Sequence, residues 1–266
     1  MKKKKNTNLI VGLFLAGMVF VLVVTSIFWT PYDPLEMSLA LKTKAPSLAH
    51  LFGTDDYGRD IFSRIMSGTN TTFFVAFCTV LIGSVFGTIV GLISGYIGGW
   101  FDEIVMRLND MLTAFPSILL ALLLVSLIGP GKYNIIFALG ILFIPSFARI
   151  VRSEMIRLKE RNFVKSARLF GASGMRIIFL HILPNIFPTL LTALAVGFNN
   201  AVLAEAGMSY LGLGVQPPEA SLGRMLLEAQ SLLGKAPWYA LFPGIMIVLI
   251  ILSFSLISEG IGDQNA

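Results

Sequence analysis

The scarcest chemistry in this chain is sulfur and imidazole: one cysteine, Cys78, and two histidines, His50 and His181. A single cysteine excludes an intrachain disulfide and a thiolate metal cluster. Lying in a hydrophobic run, it reads as a small apolar side chain. The histidines are expected in different loops on opposite sides of the membrane, and no helix carries the paired His and Glu of a metalloprotease. His50 reads as solvated and His181 as a satisfied interfacial residue. A glycine-rich phosphate loop ending in Gly-Lys-Ser/Thr is also missing. The chain is therefore expected to hold no metal or cofactor and to hydrolyse no nucleotide itself.

Charge is scarce too. Only 13% of residues are charged and 55% are hydrophobic, against about 25% charged in a soluble domain. The apolar residues come in blocks long enough to cross a hydrocarbon layer, about 20 residues per helix. This composition predicts an all-α polytopic membrane protein. The net charge of +5 is concentrated at the N-terminus and in one internal loop. That is the pattern of the positive-inside rule, not of a groove for nucleic acid.

Taken in order, Lys2 to Lys5 precede an uncharged run from Leu9 to Trp29. That run is too long for a signal-peptide core, and residues 1–30 are expected to form an uncleaved first span entered from the cytoplasm. Residues 31–72 are polar and predicted to lie outside. Within them Thr54 or Asp55 is a plausible cap for a short amphipathic surface helix carrying Tyr57, Ile61 and Ile65. Asp55, Asp56 and Asp60 lack calcium-loop spacing and read as capping or solvated charge. Residues 73–260 are expected to carry the other five spans, starting near 73–97, 111–128, 133–150, 186–205 and 238–258. Gly98 to Asp110 reads as a cytoplasmic turn, and Pro145 as a kink near the inner face. Six spans put both termini in the cytoplasm.

Gly83, Gly87, Gly91 and Gly95 recur every four residues on one helix face. Such a groove admits another helix backbone closely, either as a sliding surface or as static packing within the fold or against a partner subunit. Polar groups inside the spans are few. Asn199 and Asn200, with Glu205 near the outer end, either line a polar pathway or hydrogen-bond between helices. So few membrane ionisable groups argue against proton-coupled transport, and the absence of an internal repeat argues against an inverted-repeat carrier. A translocation pore driven from elsewhere fits better than a self-contained channel or secondary carrier.

Between Arg149 and Arg176 stand eight lysines or arginines against two glutamates. Both the helix count and the charge rule place this loop, about 151–185, in the cytoplasm. Arg157, Arg161, Lys165 and Arg168 fall on one predicted helix face, and Phe163, Ala167 and Phe170 on another. Gly171 and Gly174 end or bend that helix, and Pro184 marks the next break. Such a helix can lie on anionic lipid or enter a partner's cleft.

The loop resembles the cytoplasmic signature of the inner-membrane permeases of binding-protein-dependent ABC importers. That signature is Glu-Ala-Ala, then Gly after three residues, then Ile-x-Leu-Pro after nine more. Lys165-Ser166-Ala167, Gly171 and Leu183-Pro184 stand in register with it, with Lys165, Ser166 and His181 replacing the usual residues. LFGTDDYGRDIFSRIMSGT, HILPN and YLGLGVQPP…GRML…APWYALFPG are similar to the branch that imports peptides or nickel, the dipeptide/oligopeptide permease C type.

The resemblance implies a type I importer permease in a prokaryotic cell membrane, paired with a second homologous permease. Beneath the pair would sit two cytoplasmic ATPases holding ATP and Mg, and outside a solute-binding protein would deliver cargo. By position, Phe163, Lys165, Ser166, Ala167, Arg168, Phe170, Gly171, Ala172, Leu183 and Pro184 would form the ATPase-coupling element. Lys165 puts a cation where the family pattern has an anion, so either the partner ATPase differs locally or this position faces solvent.

Overall fold

Apolar runs separated by glycine and proline fold into long helices, seen in a computed structural model that describes residues 7–265. Lys2 to Lys5 lie outside the described residues. The helices are α1 (Thr7–Phe28), α2 (Ile61–Ile97), α3 (Gly99–Thr113), α4 (Ser117–Ile128), α5 (Lys132–Lys159) and α6 (Asn162–Leu169). They continue as α7 (Gly174–Tyr210), α8 (Leu222–Ala229) and α9 (Trp238–Asn265). Five of these are long and apolar enough to span a membrane, and the bent pair α3–α4 makes a sixth if counted as one broken span. Among the described residues there is no strand, only a bridge between Thr54 and Asp60.

Three predicted boundaries are corrected. The expected surface helix capped at Thr54 or Asp55 does not form. Asp60 is the cap, accepting from the Ser63 backbone N–H at 2.8 Å, and the helix it starts runs unbroken through the second span. The predicted turn from Gly98 to Asp110 is instead helical. Phe101, Ile104, Val105 and Leu108 repeat at helical spacing, and the helix ends at Thr113. The following Pro116 disfavours helix in the residue before it, and α4 leaves at 82° to α3. Finally, α5 continues about two turns past its predicted end and carries Arg152 and Arg157 with it.

The centre of the fold is the contact of α2 with α5. A β-carbon on Gly83 would fall 2.5 Å from the Phe143 side chain, one on Gly87 2.7 Å from the Ile144 carbonyl, and one on Gly91 2.5 Å from the Ala148 carbonyl. Gly95 likewise sits against Met155. The glycine stripe therefore lies against the chain's own fifth helix, at backbone-to-backbone approach. α1 packs outside this pair on α9, where Gly12 abuts the Ser253 carbonyl and Gly260 abuts Leu9. Aromatic rings fill the seam among α2, α7 and α9: Phe198 stands 4.2 Å from Phe254 and 4.9 Å from Phe73 between ring centroids.

Candidate functional site

At one end of the α2–α5 pair the chain builds a protruding turn. α5 stops at Lys159, whose ammonium donates to the Tyr96 carbonyl at 2.6 Å and so ties it to the end of α2. Nearby, Arg152 grips Asp102 of α3 through two bonds of 2.6 and 2.5 Å, and the Ser94 hydroxyl donates to the same carboxylate. The ends of α2, α3 and α5 are thus cross-linked by charge-assisted bonds. α6 starts after a break at Glu160–Arg161. The predicted continuous face from Arg157 to Arg168 is corrected accordingly: Arg157 pairs with Glu154 on α5, while Lys165 and Arg168 stand on α6.

Val164 is the one buried side chain of α6 and packs with Leu92, Val151, Met155, Leu158, Ile177 and Ile182. Ala172 and Leu183 join the margin of that cluster, and Ala167 is half-buried. Phe163, Lys165, Ser166, Arg168 and Pro184 are exposed, and Leu169 and Phe170 are almost entirely so, at 88% and 90%. Two backbone bonds close the turn, from Gly171 N–H to the Arg168 carbonyl and from Ala172 N–H to the Ala167 carbonyl, each 3.0 Å. Gly171 sits at φ +79° with no atom within 4 Å of a would-be β-carbon. Glycine is needed there for its left-handed backbone. Gly174 is needed for space, because a β-carbon would lie 2.6 Å from the Tyr96 hydroxyl. Ser173 then caps the next helix, which passes through a π-helical turn at Ile177–Ile182 before Leu183. The residues expected to act together are brought together, except that Pro184 and Leu183 stand at the root of the turn.

A second feature is a cavity of about 880 Å³ along α4, α5 and α7. Ser146, Thr189, Thr192 and Asn200 give it polar edges, and Phe143 and Val196 apolar ones. Asn200 is exposed to it. Asn199 turns the other way, its amide 3.2 Å from both the Ile251 carbonyl and the Ser255 N–H of α9. Glu205 stands apart from both: it is fully buried, its carboxylate accepting from the Ser209 hydroxyl at 2.6 Å. The two asparagines are neighbours in sequence, yet one faces the cavity and the other a helix seam.

The opposite end of the molecule holds a charged network that composition did not reveal. Asp55 accepts from Arg59 at 2.6 Å, and Arg64, fully buried, lies 3.5 Å from the same carboxylate. Glu228 of α8 receives Arg59 at 3.2 Å, Arg64 at 3.0 Å, Arg224 at 3.2 Å and the Tyr239 hydroxyl at 2.7 Å. Burial alone would raise the Glu228 carboxyl, but Arg64, Tyr239, Arg59 and Arg224 outweigh it and hold it below its ordinary value. For Asp56, burial and then the Asp55 charge push the carboxyl up. Of the expectation that these aspartates are capping or solvated, capping holds at Asp60, whereas the solvated reading and the solvated His50 are corrected. Asp55 and Asp60 are buried, and His50 is buried 2.9 Å from Asp60. An arginine amid the apolar residues of a helix start, Arg64, was the available signal, since such a charge demands a partner.

Comparison with known proteins places these features in a family. The sequence profile described as "Binding-protein-dependent transport system inner membrane component" matches residues 87–263. The dipeptide transport system permease protein DppC of Alkalihalophilus pseudofirmus is 40% identical over 260 residues, 98% of this chain and 86% of that one. The glutathione transport system permease protein GsiD of Salmonella typhimurium is 43% identical over 257 residues, 95% and 85% of the two chains. Among solved structures, the inward-facing MetNI methionine ABC transporter aligns at a TM-score of 0.59 and 19% identity, over 74% of this chain and 95% of that one. An amino acid ABC transporter with histidines aligns at 0.58 and 18% identity, over 76% and 94%.

Proposed function

The chain belongs to the inner membrane components of binding-protein-dependent transport systems, and from that premise we propose that it is one half of an ATP-driven peptide importer. It would pair with a second permease of similar sequence, take cargo from a solute-binding protein outside, and rest on two cytoplasmic ATPases. ATP and Mg would belong to those ATPases. The chain's own part is to couple their movement to the pathway. Peptide cargo is supported by the names of its relatives, a dipeptide and a glutathione permease.

The observation that carries this reading is the preformed turn from Asn162 to Gly171. Its outward side chains are exposed, and its one buried residue, Val164, is wedged between the bases of α5 and α7. A push on α6 would reach α5 and α2 together, because the glycine seam leaves them no slack. It would reach α7 through the π-helical turn at Ile177–Ile182, a backbone form found at functional sites. Asn200 and Thr192, further along α7, line the cavity. A small displacement at the turn would thus reshape the cavity wall. The same reading places residues 151–185 and both termini in the cytoplasm, with α8 outside. Basic residues gathered at the turn support that orientation.

Substitution at Gly171 tests it. A β-branched residue at φ +79° is strained, so Gly171→Val should misshape the turn and leave the spans intact. Expressed with its partners, the variant is expected to reach the membrane but fail to retain ATPase subunits on purification. Retention and substrate-stimulated hydrolysis at wild-type levels would refute the assignment.

A further inference from the structure

α3 is amphipathic, but the side it turns inward is the polar one. Its two buried side chains are Asp102 and Asn109, at 8% and 6% exposure. Asp102 takes two bonds from Arg152 of α5, and Asp110 receives Arg149 of the same helix at 2.9 Å. At about 100° per residue, the outward surface of α3 divides into two sectors. Glu103, Arg107 and Asp110 form one, all exposed, with Arg107 and Glu103 paired at 2.7 Å. Trp100, Ile104, Leu108 and Met111 form the other, with Trp100 at 76%, Leu108 at 57% and Met111 at 64% exposure. A helix bathed in water turns such an apolar stripe toward the core. Here it points outward along the length of α3.

The backbone sets this orientation. Gly98 and Gly99 both adopt left-handed φ, +71° and +57°, and turn the chain at the end of α2 as glycine does without steric cost. Pro116 separates α3 from α4, which leaves at 82°. α4 packs along α5, its Ala121 and Val125 clustering with Ile135 and Leu139. α3 therefore runs across the spans rather than with them. A helix in that position, with one side on protein, one polar and one apolar, fits a boundary between water and hydrocarbon. We infer that α3 is an interfacial helix whose Trp100, Ile104, Leu108 and Met111 face is seated on the acyl chains of the bilayer.

Two features favour lipid over a protein partner. The apolar face is continued at both ends by exposed apolar side chains of the neighbouring segments, Ile97 of α2, then Phe115 and Leu119 of α4. Trp100 also stands at the start of the face, and an indole suits the headgroup level with its ring in the apolar layer. The polar sector sets one cation, Arg107, against Glu103 and Asp110, so burial of apolar surface rather than attraction to anionic headgroups drives the contact. Seated there, α3 ties the bases of α2 and α5 to the membrane surface, because Asp102 holds both Ser94 and Arg152.

The test places nitroxides on α3 of the complete transporter in phosphatidylcholine nanodiscs, in a Cys78→Ser background. Leu108→Cys and Met111→Cys replace exposed side chains, so a label there displaces no packed neighbour. Both labels are expected to collide with oxygen, relative to a water-soluble nickel chelate, several-fold more often than labels at Glu103→Cys and Arg107→Cys. Added phosphatidylserine should leave that ordering unchanged. Nickel access at Leu108 equal to that at Glu103 would put the face in water and overturn the inference. Access to neither reagent would put a protein partner on the face and overturn it as well. Trp100 gives a second reading with no change on α3. In a Trp29→Phe, Trp238→Phe background, brominated lipid should quench its fluorescence and aqueous iodide should not, and the reverse would overturn the seat on lipid.

Discussion

Glu228→Gln removes one charge and almost no volume, which makes it a clean probe of the charged network at the end opposite the turn. In the wild type, Glu228 and Asp55 together face Arg59, Arg64 and Arg224, and Arg64 is wholly buried. Without the Glu228 charge, two buried guanidinium groups share Asp55, which Arg64 reaches only at 3.5 Å. Breaking a buried pair from one side costs about 3–5 kcal/mol, because the surviving charge stays desolvated and unmatched. The loss should appear as a lower thermal midpoint in detergent and as faster proteolysis within residues 31–60, which Asp55 and Arg59 hold in place. The double variant Glu228→Gln with Arg64→Met should recover part of the loss, since it strands no buried charge. The pH dependence follows in sign. Glu228 is held below its ordinary 4.5, so its contribution is full at neutral pH and is lost as pH falls below that value toward the lowered one. Wild type and variant should therefore converge in acid. A variant within about 0.5 kcal/mol of wild type at neutral pH would refute the reasoning.

Two other outcomes follow from the packing. Gly91→Leu places a side chain where even a β-carbon lies 2.5 Å from the Ala148 carbonyl; overpacking should cost about 1–3 kcal/mol or more, read as reduced yield of folded protein, while Gly244→Leu on α9, with open space around it, should be tolerated. In a Cys78→Ser background, Asn200→Cys should react with polar thiol reagents and Asn199→Cys should be protected, because only Asn200 opens to the cavity; equal labelling would show that the cavity does not distinguish them.

The spans were legible in the sequence because hydrocarbon thickness imposes a run length that little else mimics. The turn was legible for a different reason: Gly171 and Gly174 punctuate a basic, amphipathic stretch at fixed spacing from Leu183-Pro184. The glycine stripe was visible as a face, but the helix meeting it was not, since nothing local to Gly83–Gly95 encodes α5 as its neighbour. Long-range pairing also hid the network around Glu228. Asp55 and Arg59 lie close in sequence, yet Glu228 is 169 residues from Arg59, and a loop rich in aspartate reads as solvated until its partner is found. The break at Glu160–Arg161 escaped the periodicity because Arg157, Arg161, Lys165 and Arg168 keep helical spacing across a helix that stops. Asn199 and Asn200 show the same limit at the scale of one residue, where 100° of helix rotation separates a seam from a cavity wall.

The most direct test of an ATP-driven peptide permease is uptake of a labelled dipeptide by proteoliposomes carrying the complete transporter. Accumulation above the external concentration is expected only with ATP on the ATPase side, the solute-binding protein on the other, and this chain present. Equilibrating flux through this chain alone, without ATP, would contradict the account.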